Sequence, residues 1–277
     1  MPSPTDFNLS PYFDDFSESK KFHRVLFRPA FAVQARELTQ SQTQLQNQIE
    51  RFGDHIFKHG SMVIPGNIGL DLEYYAVKLT SIDSSNTLAQ FTTGTILTGG
   101  TSGVTAEIVN TVALSGSDPD TLYVKYNKTG TNNTAAVFSD GETITGTNSD
   151  SVALSAVVDT TATGSAATVK QGVYYINGFF VQNDDEVLIL DKYTNSPSYR
   201  IGFTITESFV TPNDDSSLND NATGSSNANA PGAHRFKILL TLAKKTLAST
   251  EDSTFVELMR VENGTIKAEL DQQNIVY

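Results

Sequence analysis

Between residues 30 and 59, apolar or spacing-compatible side chains recur at Phe31, Ala35, Leu38, Gln42, Leu45, Ile49, Phe52 and Ile56. The steps alternate between four and three residues, which traces the a/d seam of a heptad rather than the wider stripe of a helix packed on a globular core. Glutamines, Arg36, Glu37, Glu50 and Arg51 fill the positions between. The pattern predicts a coiled-coil-like helix over 30–60, about 39 Å long from Phe31 to Ile56 at 1.5 Å per residue. Gly53 is expected to mark a bend and Gly60 to cap the end. Gln42 on the seam weakens a coil but can fix its register. The expected role of these eight positions is homo-oligomerisation, ahead of the alternative that the seam packs on this chain's own sheet.

Ahead of the helix, residues 1–29 form a proline-punctuated arm that cannot start a helix early. Its aromatic content is too high for a disordered tail. Phe7, Tyr12, Phe13, Phe16 and Phe22 are therefore expected to dock on the rest of the chain or on a partner subunit. After residue 61 the period changes to two, and Gly/Pro/Asn turns separate β-branched and aromatic runs. Residues 61–80 and 168–245 predict a main antiparallel β domain. The Thr/Ser/Gly/Asn-rich stretch 81–167 predicts a small β domain inserted into it. Within the insertion, Gly94-Thr-Ile-Leu-Thr-Gly resembles Gly141-Glu-Thr-Ile-Thr-Gly, and each copy precedes an alternating strand. Asn177-Gly178 and Asn263-Gly264 predict hairpins, the second closing a C-terminal hairpin and tail over 246–277. The long polar stretch 211–234 has no period and reads as a functional or mobile loop. The expected fold is mainly β: antiparallel sandwich or barrel domains, one inside the other, behind one long N-terminal helix.

Composition narrows the chemistry. With no Cys among 277 residues, disulfides, zinc-thiolate sites, iron–sulfur clusters and thiol nucleophiles are all excluded. A net charge of −12 repels nucleic acid and anionic lipid, and no apolar run approaches a membrane span. Asp54, His55 and His59 have helical spacing for a metal, but no motif supplies a third ligand, so a solvated helix face is the stronger reading. The acidic runs at 183–186 and 213–215 lack the spacing of a calcium loop and read as turns. No nucleophile elbow, phosphate loop or dinucleotide fingerprint occurs. No catalytic residue, cofactor or metal is expected, and the chain reads as a non-enzyme.

Two long strings carry a resemblance. They are Phe22-His-Arg-Val-Leu-Phe-Arg-Pro-Ala-Phe-Ala-Val-Gln-Ala-Arg-Glu-Leu-Thr-Gln and Gln46-Asn-Gln-Ile-Glu-Arg-Phe-Gly-Asp-His-Ile-Phe-Lys-His-Gly-Ser-Met-Val-Ile-Pro-Gly. Shorter matches follow at Leu190-Asp-Lys-Tyr, Ser196-Pro-Ser-Tyr-Arg-Ile-Gly and Ala230-Pro-Gly-Ala-His-Arg-Phe-Lys. The chain is similar here to tailed-bacteriophage virion proteins that carry the DUF4815 domain. The resemblance implies a tail, baseplate or fibre-attachment component, made in the host cytoplasm and located in the virion. Its implied partners are copies of itself, other tail and baseplate proteins, and fibre proteins. It also implies a trimer, whereas isoleucine at a and leucine at d lean toward a dimer. The alternative expectation is a receptor-binding protein that recognises a host surface glycan through 81–167. That stretch is poor in the aromatic residues a sugar platform needs.

Overall fold

The structure, a computed structural model, describes residues 3–131, 133–250 and 252–270. Residues 271–277, the end of the predicted tail, lie outside them. The described chain is mainly β, with antiparallel sheets and one helix longer than a single turn, α1 (Ala35–Ile56). The first strands are β1 (Met62–Ile64), β2 (Ile68–Ile82), β3 (Ile96–Gly99), β4 (Thr105–Val112), β5 (Thr121–Lys128), β6 (Thr143–Thr147) and β7 (Ala153–Val169). The rest are β8 (Gly172–Ile176), β9 (Phe179–Asn183), β10 (Glu186–Asp191), β11 (Tyr199–Val210), β12 (Arg235–Thr246), β13 (Phe255–Glu262) and β14 (Thr265–Glu269).

Two large cores, with a smaller cluster around Tyr74, Ala76, Tyr123 and Ala166, share one ribbon. The long strands β2 and β7 pair from Ile68↔Val169 to Ile82↔Ala156, with bulges on the way. At one end, Ala167 and Val169 join a core with Tyr174, Leu190, Phe203, Leu240 and Met259. That core lies among the sheets β1-β8-β9 and β12-β11-β13-β14 and the strand β10. At the other end, Val77, Leu79, Leu154, Ala156 and Val158 enter a second core. There β7, β2, β5, β4, β3 and β6 pair in sequence and β6 returns to β7, which closes a six-stranded ring without a free edge. Alternation along each strand turns Leu97, Ala106, Ile108, Leu122, Val124 and Ile144 inward, and Phe91 and Phe138 fill the ends. Asn177-Gly178 and Asn263-Gly264 occupy the left-handed region, as their hairpins require.

The internal repeat is a structural one. Gly94 and Gly141 both have positive φ (+87° and +76°), which a side chain would strain. Gly94 N–H donates to the Ile108 carbonyl at 2.8 Å, and Gly141 N–H to the Val158 carbonyl at 2.9 Å. In return Ile108 donates to Thr95 and Val158 to Glu142, each at 2.9 Å. The copies pair with each other about Thr98↔Thr145, so two equivalent hairpins meet across a local twofold. Among their differences, Thr95 in the first copy stands where the second has Glu142, and both are buried. The Glu142 carboxylate accepts the N–H groups of Thr101 (3.0 Å), Ser102 (2.8 Å) and Ser139 (2.7 Å) and the Ser102 hydroxyl (2.8 Å), which ties the first hairpin's turn to the second copy.

Burial raises the Glu142 carboxyl, but the bonds from Ser102, Ser139 and Thr101 outweigh it and hold the group below its ordinary value of 4.5. The unfolded chain thus takes up this proton first. The stabilisation is complete above that ordinary value and fades as pH falls through the folded one. Glu142→Gln is expected to lower stability at pH 7 by about 1.5–3 kcal/mol, the range for hydrogen bonds to a charged group. Denaturant titrations of both proteins at pH 7 and pH 3 check this, and the gap between them should narrow at pH 3.

A candidate association surface on the helix and arm

A capping box starts α1. Gln34 N–H donates to the Glu37 carboxylate at 2.9 Å while Glu37 N–H donates to the Gln34 carbonyl at 3.0 Å. Pro29 and Ala30 form a turn just upstream, Ala30 at φ +66°. Phe31 therefore lies outside the helix, and the predicted seam loses its first helical position. At the other end Phe57 is already extended, with its N–H on the Gly53 carbonyl at 2.7 Å. The helix ends there and not at Gly60, because a pair of backbone bonds pulls the chain into β1 and β8. Gly60 N–H donates to the Tyr175 carbonyl at 2.8 Å, and Tyr175 N–H to the Ser61 carbonyl at 2.9 Å.

The helix is mounted by its polar side. The hydroxyl end of the Tyr175 ring lies against Gly53, where a Cβ would come within 2.5 Å of it. Its hydroxyl donates toward the Glu50 carbonyl (2.8 Å) and the Asp54 carboxylate (3.0 Å). Gln46 Nε2 donates to the Gly178 carbonyl at the β8–β9 turn, 2.8 Å away. Gly53 is thus a seat for a ring within an unbroken helix. Burial, then the bond to Asp54, raises the Tyr175 hydroxyl above its ordinary range. Burial, then repulsion from Asp54, raises the Glu50 carboxyl as well. The arm covers more of the same side. Buried Asp14 accepts from the Thr43 hydroxyl, and Asp15 accepts from Gln40. Glu18 accepts from Arg51 Nε (2.8 Å) and Asn47 Nδ2 (2.7 Å), and these partners bring its carboxyl down to about 2.

The apolar side faces away from the body. Leu38 is 52% exposed, Leu45 68%, Ile49 46% and Phe52 66%, with Ala35 and Gln42 exposed between them and Ile56 half-buried. A helix that packs for the sake of its own monomer buries its apolar stripe and shows its polar face to water. Here the arrangement is inverted. The apolar run continues upstream through Phe31 (61% exposed) and Val33 (51%) into the arm.

The arm divides in two. Phe7 stacks edge-on against Phe209 and Phe236, with ring centroids 5.8 and 5.0 Å apart, and Tyr12 lies 4.9 Å from Phe209. The Tyr12 hydroxyl also meets His234 Nδ1 at 2.8 Å, which ties the arm to the end of the 211–234 loop. These two rings dock on the chain's own β11–β12 face. Phe16 is half-buried beside Gln44 of the helix. Phe13 and Phe22 are exposed, as are the arm's further aromatic Phe27 and its neighbour Leu26. The basic residues between them were the available signal, since apolar groups flanked by Lys and Arg suit a surface and not a core. The sequence marks the Asn177-Gly178 turn but not its contact with the helix, because only the fold brings Tyr175 and Gly178 there.

The sequence profile of the family described as Domain of unknown function (DUF4815) matches residues 10–120 and 113–275. The chain is a DUF4815 protein. No curated protein matches it, and no solved structure does.

Among the described residues no three His, Asp or Glu side chains gather to hold a metal. His55 is exposed, while half-buried His59 accepts the Asn177 N–H at Nδ1, 3.3 Å away. No helix among the described residues is long and apolar enough to cross a membrane. In the ring of strands Phe91, Tyr123 and Phe138 are buried and Tyr126 is half-buried. None of these four rings forms an open stacking platform.

Proposed function

We propose that this DUF4815 protein is a non-enzymatic structural component of a bacteriophage tail, a baseplate or fibre-attachment protein that assembles through α1. The observation that carries the reading is the inverted helix: polar face fixed to the body, apolar heptad face open to solvent. Water-exposed contiguous apolar surface of this kind is characteristic of an association site. Copies of α1 zip together along Leu38, Gln42, Leu45, Ile49, Phe52 and Ile56 as a short coiled coil, extended toward Phe31 and Ala35 at its head. Three copies share one axis, in line with the resemblance to trimeric tail appendages. The β parts then project around the coil, and the ring of strands, built from β2 together with the segment 81–167 read as an inserted domain, stands outermost and presents a surface to a fibre protein. The placement in a phage tail is supported by the two long resembling strings, which span the arm, the helix and β1. The lack of an open aromatic platform on the ring weighs against a glycan receptor role.

Light scattering on the intact protein tests the assembly. The expected mass is about three times the 30.0 kDa chain. A mass of one chain at micromolar concentration would overturn the mechanism.

A further inference from the structure

The net charge is unevenly distributed. Residues 1–60 carry seven Lys+Arg and seven Asp+Glu, whereas residues 61–277 carry 12 against 24, the whole −12. Within the first part, the segment 19–33 holds Lys20, Lys21, Arg24 and Arg28 and no acid. Lys20 pairs with Asp15 at 2.7 Å. Lys21, Arg24 and Arg28 have no carboxylate partner among the described residues; the Arg28 guanidinium lies 4.1 Å from the Phe31 ring centre.

The same segment borders α1 along 20–25 but is held there by little. Residues 22–27 belong to no helix or strand and make no backbone hydrogen bond among the described residues. Phe22 is 65% exposed, Leu26 77% and Phe27 51%. Both ends are fixed, by Glu18 on Arg51 and by the Gln34 capping box. The fifteen residues between can reach roughly 25 Å outward and return. Cations, open backbone groups and apolar side chains on one tethered strand are the features of a docking segment, and its occupant must be acidic.

We infer that the segment 19–33 of one copy seats on the acidic β surface of a neighbouring copy, as a second, salt-sensitive clasp beside the coil. This rests on the homo-oligomeric reading above. Sister arms carry like charge and repel one another, and within its own chain the segment only borders α1 along 20–25, leaving Phe22, Leu26 and Phe27 more than half exposed. A neighbour's residues 61–277 supply opposite charge at equal stoichiometry, held close by α1. The protein's overall charge works against a nucleic acid in this role.

The test mixes nitrogen-15-labelled and unlabelled protein and joins contacting amines and carboxylates with a zero-length carbodiimide. Mixed-isotope links are expected from Lys20 or Lys21 to Asp or Glu beyond residue 60. The variant Arg24→Glu/Arg28→Glu is expected to raise the concentration of half-dissociation about tenfold at low salt, shrinking to about twofold at high salt as the charges are screened. If all such links are within one copy and the variant dissociates like wild type, the clasp is wrong while the coil stands. Arm-dependent binding of a labelled 20-base-pair DNA duplex at physiological salt, without inter-copy links, would overturn it in favour of nucleic acid. A wild-type mass of one chain would remove the coil as well.

Discussion

Leu38→Asp combined with Leu45→Asp is expected to reduce the assembly to single chains that remain folded. Both side chains are more than half exposed on the isolated chain, so neither substitution removes packing from the body. In a coil each would bury its side chain, worth about 1.5–3 kcal/mol per leucine. Each aspartate would bring a charge into the seam at a further cost of several kcal/mol. With three copies the losses multiply, and association at micromolar concentration should disappear. Light scattering reads the mass and thermal unfolding reads the fold. The expected pair of results is a 30.0 kDa particle and a β-body transition like that of the dissociated wild type. Loss of the body's transition instead would mean that the leucines support the protomer itself. An unchanged multimeric mass would place the interface elsewhere.

Gly53→Ala is expected to destabilise the junction between helix and body, against the direction that helix propensity gives. In an exposed helix this change gains about 1 kcal/mol. Here the added methyl would sit 2.5–2.7 Å from the Tyr175 ring. The ring has little room to yield. Phe57 and Phe180 stand 5.8 and 5.3 Å from it, and its hydroxyl is held by Glu50 and Asp54. Overpacking of this kind costs about 1–3 kcal/mol. Losing the hydroxyl's bonds adds about 1 kcal/mol, so the clash outweighs the propensity gain. Hydrogen exchange is the suitable measurement, with faster exchange expected at Gly60 and Tyr175 and little change in the ring of strands. Gly53→Ala with slower exchange there would show that the glycine is a helix defect and not a seat.

These substitutions separate two kinds of information. The heptad steps from Ala35 to Ile56 were legible because a helix's period is local and survives any tertiary setting. The hairpins at Asn177-Gly178 and Asn263-Gly264 were legible for a similar reason, as positive φ selects those residues directly. The repeat at Gly94 and Gly141 could be seen as a string, but its meaning could not. Closing the ring pairs Thr98 with Thr145 across 47 residues, and such distant pairings leave no periodic trace.

By itself, then, the sequence determined that the chain is mainly β behind one heptad helix, that it lacks thiol chemistry, and that its arm is basic and aromatic. It could not decide which side of the helix the body would take. A heptad stripe says only that an apolar partner is wanted, and a sheet of the same chain satisfies that as well as a sister helix. The tertiary structure settled the side through Tyr175, Gly178, Asp14 and Glu18. These polar contacts each require an exact position in space, so they grip the glutamine-rich back of α1 and leave its leucines facing water.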